Sequence, residues 1–155
     1  MKTTLIALTA LTLSTTSTFA ATSGTLLLKG QVGQVLSILV TPEAIASTLP
    51  LNESQVDTKV ATVNEISNSS TGYTVTISSA NLGNLLRSGG TELFPYSMKY
   101  NNEAVNLAAA DVFTNTSAAA VNVNKDVHIS YTGVPAGNMI AGEYSDTVTF
   151  EIAAN

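Results

Sequence analysis

The sequence predicts an all-β chain folded as a two-layer sandwich with Greek-key connections. Three observations carry that prediction. Apolar residues recur at a period of two in short segments, clusters of Gly, Pro, Asn, Asp and Ser separate those segments, and no stretch sustains a helical period. About seven strands at this spacing suit a sandwich. A transmembrane barrel is the rival, but its strands need about ten residues each and outward aromatic girdles, and neither is seen here.

The elements follow in order. Met1-Lys2, the apolar run Leu5 to Leu13 and a small, polar stretch ending at Ala20 form the three parts of a Sec-type signal peptide, expected over residues 1–20 with cleavage after Ala20. The apolar run is about half the roughly 20 residues that a spanning helix requires. Next comes "GTLLLKGQV", Gly24 to Val32, in which Leu26, Leu28, Gly30 and Val32 share one face while Leu27, Lys29 and Gln31 share the other. One face is apolar with a gap at the glycine.

"QVLSILVTP", Gln34 to Pro42, is nearly continuous in apolar residues and reads as a strand covered on both sides and ended by Pro42. Val56 to Ile66 is the next strand. "YTVTISS" places Tyr73, Val75 and Ile77 inward and is the cleanest alternation in the chain. In "FPYSMKY", Phe94, Tyr96, Met98 and Tyr100 share a face, and Asn101-Asn102 predicts a tight hairpin into "EAVNL". Ala108 to Ala120 reads as a loop with a short strand. "DVHISY" places Val127, Ile129 and Tyr131 on one face, "TGVPAGNMIAGE" is a loop, and "YSDTVTFEI" closes the chain with Val148, Phe150 and Ile152 on one face.

Composition narrows the function classes. Without cysteine, an exported protein depends on apolar burial and strand ladders rather than disulfides. Once Lys2 is removed with the signal, five basic residues face eleven acidic ones, a net charge near −6 that argues against nucleic acid as a partner. No spaced nucleophile, base and orienting acid is recognisable, and no metal-ligating or phosphate-cradling motif appears. His128 is the sole histidine and falls on the face opposite Val127 and Ile129, the position of a solvent-facing strand residue. Asp146, in "YSDTV", invites a ligand role but fits a turn or strand start better. The expectation is therefore no enzyme, no cofactor and no metal.

"GTLLLKGQV", directly after the cleavage site, is similar to the N-terminal extension of chaperone-usher pilins. "AGEYSDTVTFEI" resembles the closing strand of those pilins, and "NSSTGYTVTISSANLG" their body. The resemblance covers most of the mature chain. Two departures accompany it: type 1 and P pilins carry a disulfide between their first two body strands, absent here, and many have an aromatic next to last, where Ala154 stands.

The resemblance implies an incomplete immunoglobulin-like Greek-key sandwich lacking its last strand, with a donor-strand extension over residues 21–33 and a body over 34–155. Leu26, Leu28, Gly30 and Val32 would enter the groove of a neighbouring pilin subunit, and Val148, Phe150 and Ile152 would line the groove that accepts the next extension. A periplasmic chaperone and an outer-membrane usher are the implied assembly partners, on a path through the periplasm to a cell-surface fimbria. Alternation alone favours Thr25 to Val32 pairing inside its own sheet as a first strand, and it is the resemblance that turns the reading toward exchange. The alternative function is a secreted, self-contained β-sandwich that binds carbohydrate or a cell surface.

Overall fold

The structure, a computed structural model, describes residues 22–155. The expected signal peptide at 1–20 lies outside them. The chain divides after Val32, and the body spans Gly33–Asn155. The body is all-β with antiparallel pairing throughout. Its strands are β1 Leu36–Pro42, β2 Gln55–Ser67, β3 Tyr73–Ser79, β4 Asn84–Arg87, β5 Leu93–Pro95, β6 Ser97–Tyr100, β7 Glu103–Val105, β8 Asp111–Asn115, β9 Val121–Tyr131, β10 Tyr144–Ser145 and β11 Val148–Ala154.

One sheet has the order β1-β2-β9-β6-β7, a second β11-β3-β8 and a third β10-β4-β5. The second and third sheets are joined by two strands that break and resume. β3 gives way to β4 across 80–83, where Leu82 and Gly83 take left-handed φ angles of 53° and 80°. β10 gives way to β11 at Asp146-Thr147, beside the first break, and Ala80 N–H donates to the Thr147 carbonyl at 3.0 Å across the joint. The sheets enclose one hydrophobic cluster, an arrangement consistent with a β-sandwich. Its centre is Val63, Val75, Ile77 and Val127, each at most 1% exposed. Such side chains contribute roughly 1.5–3 kcal/mol apiece when fully buried.

Local chemistry explains much of this. Tyr73, Val75 and Ile77 are buried as the alternation predicts, as are Val127, Ile129 and Tyr131. Asn101 and Asn102 adopt φ of 50° and 69°, the left-handed pair that a two-residue hairpin turn demands, and Tyr100 pairs with Glu103 across it. The predicted short strand inside 108–120 is β8.

Three expectations need correction. Gln34 to Pro42 is not covered on both sides: β1 pairs only with β2, and Val35, Leu39 and Val40 are exposed at 50%, 61% and 38%. "FPYSMKY" is two strands rather than one. Pro95 lacks the N–H a ladder needs, so the chain leaves one sheet as β5 and enters another as β6, although Phe94, Met98 and Tyr100 all remain buried. "YSDTVTFEI" is likewise split, as β10 and β11.

Candidate functional site

β1 and β11 each lie at one end of their sheets, with β7 and β8 at the other ends. Each has one ladder partner, so each presents a free row of main-chain N–H and C=O groups. The two edges approach within 8 Å between Cα atoms but form no ladder with each other. The side chains along both edges report the same thing. On β11, Val148, Phe150 and Ile152 lean on the core yet stay half-buried, while Ile77 and Val75, opposite Phe150 and Ile152 on β3, are 0% and 1% exposed. On β1, Leu36 and Ile38 are half-buried and Val40 is more than a third exposed, although their partners on β2, Ser67, Glu65 and Val63, are at most 3% exposed. The body thus has an apolar seam between two unpaired edges.

Residues 22–32 have no regular secondary structure. Leu26, Leu28 and Val32 are exposed at 83%, 82% and 86%, and no atom lies within 4 Å of where a side chain at Gly30 would begin. The body proper is anchored at its first residues: Asn68 accepts from the Val35 N–H at 2.6 Å and donates through Nδ2 to the Gly33 carbonyl at 2.9 Å.

Several buried polar groups hold the body together. Asp146 sits in the joint between β10 and β11, where it accepts from the Ser79 hydroxyl at 2.5 Å, the Tyr96 hydroxyl at 2.6 Å, the Asn81 N–H at 3.0 Å and the Thr147 N–H at 2.8 Å. It pins both broken strands together. Burial, reinforced by this carboxylate, pushes the Tyr96 hydroxyl well above its ordinary range, so Tyr96 stays a donor.

Glu65, which sequence reasoning did not single out, is 3% exposed and shares the inward face of β2 with Val63 and Ser67. Tyr73 donates to it at 2.6 Å, and Tyr100 donates to its other oxygen. Burial raises both tyrosines, so the pair keeps its protons and ties the buried acid in place. Between Thr62 and Ser67 the inner face holds one apolar residue, Val63, and the outer face one, Ile66, so alternation there does not mark Glu65 as inward.

His128 lies on the outer face of the five-stranded sheet, opposite Lys59 and Lys99, with no hydrogen-bond partner for its buried Nδ1. Around it Lys59 pairs with Asp126 at 2.8 Å and Lys99 with Asp57 at 2.9 Å. These bridges hold Lys59 above and Asp126 and Asp57 below their ordinary ranges. A cleft of about 680 Å³ is walled by Leu49, Leu51, Val134, Met139 and Tyr144; of the two acids at its rim, Glu143 and Asp146, the second is fully engaged. No group of three or more metal-ligating side chains occurs among the described residues. What the arrangement can do chemically is add a strand. No protein-family model matches the chain, and no curated protein matches it.

Proposed function

We propose that the protein is a structural subunit of a surface fibre of the chaperone-usher type, not an enzyme, and that its N-terminal extension completes the body of the next copy. In this reading the body is an immunoglobulin-like Greek-key sandwich without its last strand. The observation that carries the reading is the pairing of two complementary deficits in one chain. An alternating apolar segment, Leu26 to Val32, lies in solvent without a sheet, and an apolar seam beside Val148, Phe150 and Ile152 lies at a sheet edge without a strand.

Burying Leu26, Leu28 and Val32 contributes roughly 4–9 kcal/mol before ordering costs, and each ladder hydrogen bond about 1 kcal/mol. An inserted strand needs its neighbours about 9.6 Å apart, two ladder spacings, so β1 moves away from β11 when a strand enters. A chaperone that lends a strand in the periplasm fits the same seam until the usher directs exchange at the outer membrane. Carbohydrate binding is less well supported, because no aromatic residue among those described is fully exposed on a flat face or loop tip, where a sugar ring would stack.

The test is self-complementation. A copy of Gly24 to Gly33 is joined behind Asn155 through a short flexible linker and the native copy is deleted. The thermal midpoint should rise by well over ten degrees relative to the body alone, since each kcal/mol moves a domain of this size by roughly 3–6 °C. An unchanged midpoint overturns the proposal.

A further inference from the structure

We propose that the polar cavity between the β6–β7 hairpin and β8 binds a small zwitterion, an α-amino acid whose ammonium group meets Glu65 and whose carboxylate meets Lys125. The site is separate from strand donation. None of the residues lining this cavity of about 590 Å³ belongs to β1 or β11.

Two unmatched charges of opposite sign line the cavity. Glu65 is 3% exposed, and its two oxygens accept from the neutral hydroxyls of Tyr73 and Tyr100. A buried carboxylate is ordinarily neutralised by a cation, yet Glu65 has no ion-pair partner among the described residues. Each of its oxygens keeps a further acceptor position. Lys125 is the reverse case. It stands opposite Val63, which is 0% exposed, so it shares the inward face of the sheet with Glu65. It is half-buried, and it too has no ion-pair partner among the described residues.

The register explains why the two do not satisfy each other. Glu65 pairs with Val123, so Lys125 is its diagonal neighbour, a position about 7–8 Å away in an antiparallel pair. The carboxylate is drawn instead toward Tyr73 on β3 and Tyr100 on β6. An α-amino acid bridges a gap of that order: two charge-assisted hydrogen bonds of about 2.8 Å, with roughly 3 Å between its own charged groups, link charges about 8 Å apart. A lone cation or a lone anion matches one wall and leaves the other unmatched.

The rest of the lining selects among amino acids. Glu103 and Asp111 also border the cavity, so three acids stand against one lysine. That excess repels an acidic side chain and favours a basic one. The acids do not converge on a point, since no group of three or more metal-ligating side chains occurs among the described residues. An extended molecule with separated charges suits this spread better than a single ion.

The test uses the full-length mature protein and L-lysine, followed by isothermal titration calorimetry and by the thermal midpoint. L-Lysine should bind and raise the midpoint in proportion to the logarithm of its concentration. Two analogues separate the contacts: 1,5-diaminopentane lacks the carboxylate, and Nα-acetyl-L-lysine amide lacks both α-charges. Each should bind roughly tenfold more weakly or worse, the loss of a charge-assisted contact. Equal binding of the diamine reduces the cavity to a general cation site and overturns the zwitterion. Failure of L-lysine and L-arginine to bind at ~10 mM, above the range of weak small-ligand affinities, overturns the site.

Variants assign the two walls. Lys125→Met keeps the apolar stem without the charge, and Glu65→Gln keeps an acceptor for the tyrosines. Both should weaken L-lysine binding by about tenfold or more. Lys125→Met should leave the denaturant midpoint of the ligand-free protein unchanged, because its charge has no partner there, and it decides the matter alone if Glu65→Gln fails to fold. A marked fall in that midpoint would mean that Lys125 neutralises Glu65 directly, and would overturn the proposal, as would unaltered L-lysine binding in Lys125→Met.

Discussion

β3 and β11 are hydrogen-bonded neighbours of seven residues each, both alternate between apolar and polar side chains, and they differ sharply in depth. Tyr73, Val75 and Ile77 on β3 are at most 3% exposed, while Val148, Phe150 and Ile152 on β11 are only half-buried. Residue type does not separate them. β3 is flanked by β8 and β11, whereas β11 is flanked by β3 alone. Alternation selects which face turns to the core, and the number of neighbours sets how far that face is covered. A strand with the alternation of an interior strand but a single ladder partner keeps its apolar face only half-covered.

Truncating the two strands should separate them most clearly. Ile77→Ala in the free body is expected to cost about 2–5 kcal/mol, because a fully enclosed site collapses poorly around the cavity. Ile152→Ala should cost about 1 kcal/mol in the body alone and approach the Ile77 value once the extension is grafted behind Asn155. Urea denaturation of both variants with and without the graft measures this, and equal costs at the two positions in the free body would contradict the comparison.

Tyr73 of the interior strand also ties down Glu65, the buried acid of β2, which offers a second contrast. Glu65→Leu should destabilise by about 2–4 kcal/mol, since it strips the acceptor from the Tyr73 and Tyr100 hydroxyls inside the core. Replacing both tyrosines by phenylalanine in that background should recover part of the loss. The exposed Glu151 on β11, changed to leucine, should leave the isolated body within about 0.5 kcal/mol. Denaturant midpoints of the four proteins check the ordering.

Assembly isolates the edge from the interior. If the extension is donated to a neighbour, Gly30→Leu should reduce fibre yield by roughly fivefold or more, the equivalent of a steric cost of about a kcal/mol or above where only backbone fits. Circular dichroism of the body should be unchanged, and Lys29→Leu should alter yield far less. Fibre counts by electron microscopy alongside those spectra give the answer, and normal fibres from Gly30→Leu would remove the glycine from the donor strand.

The smallest effect near neutrality belongs to the tyrosines and grows in alkali. Burial, with an adjoining carboxylate, holds Tyr96 and Tyr100 above the ordinary value of 10.0. For a group raised in the folded state, its contribution is complete below the unfolded value and is lost as pH climbs toward the folded one. Stability should therefore be flat in this respect up to about pH 10 and then fall by as much as about 1.4 kcal/mol per pH unit for each tyrosine. A denaturation series from pH 8 to 12 tests the sign, and Tyr100→Phe should shallow the decline.

The sequence by itself determined the all-β character, the inward rows of β3, β9 and β11, and the hairpin at Asn101-Asn102. Each rests on local physics: the period of two that strand geometry imposes, and the left-handed backbone that asparagine tolerates. It also displayed an apolar extension with a glycine gap. Only the tertiary structure decided that Glu65 faces inward, that Asp146 clamps two broken strands, and that β1 and β11 each lack a second partner. Those facts depend on residues far apart in the chain, since β11 pairs with β3 more than 65 positions earlier and Asp146 reaches back to Ser79. A periodic pattern fixes the direction of a side chain but carries no record of how many strands will lie beside it, and the unpaired edge of β11 is a property of that count.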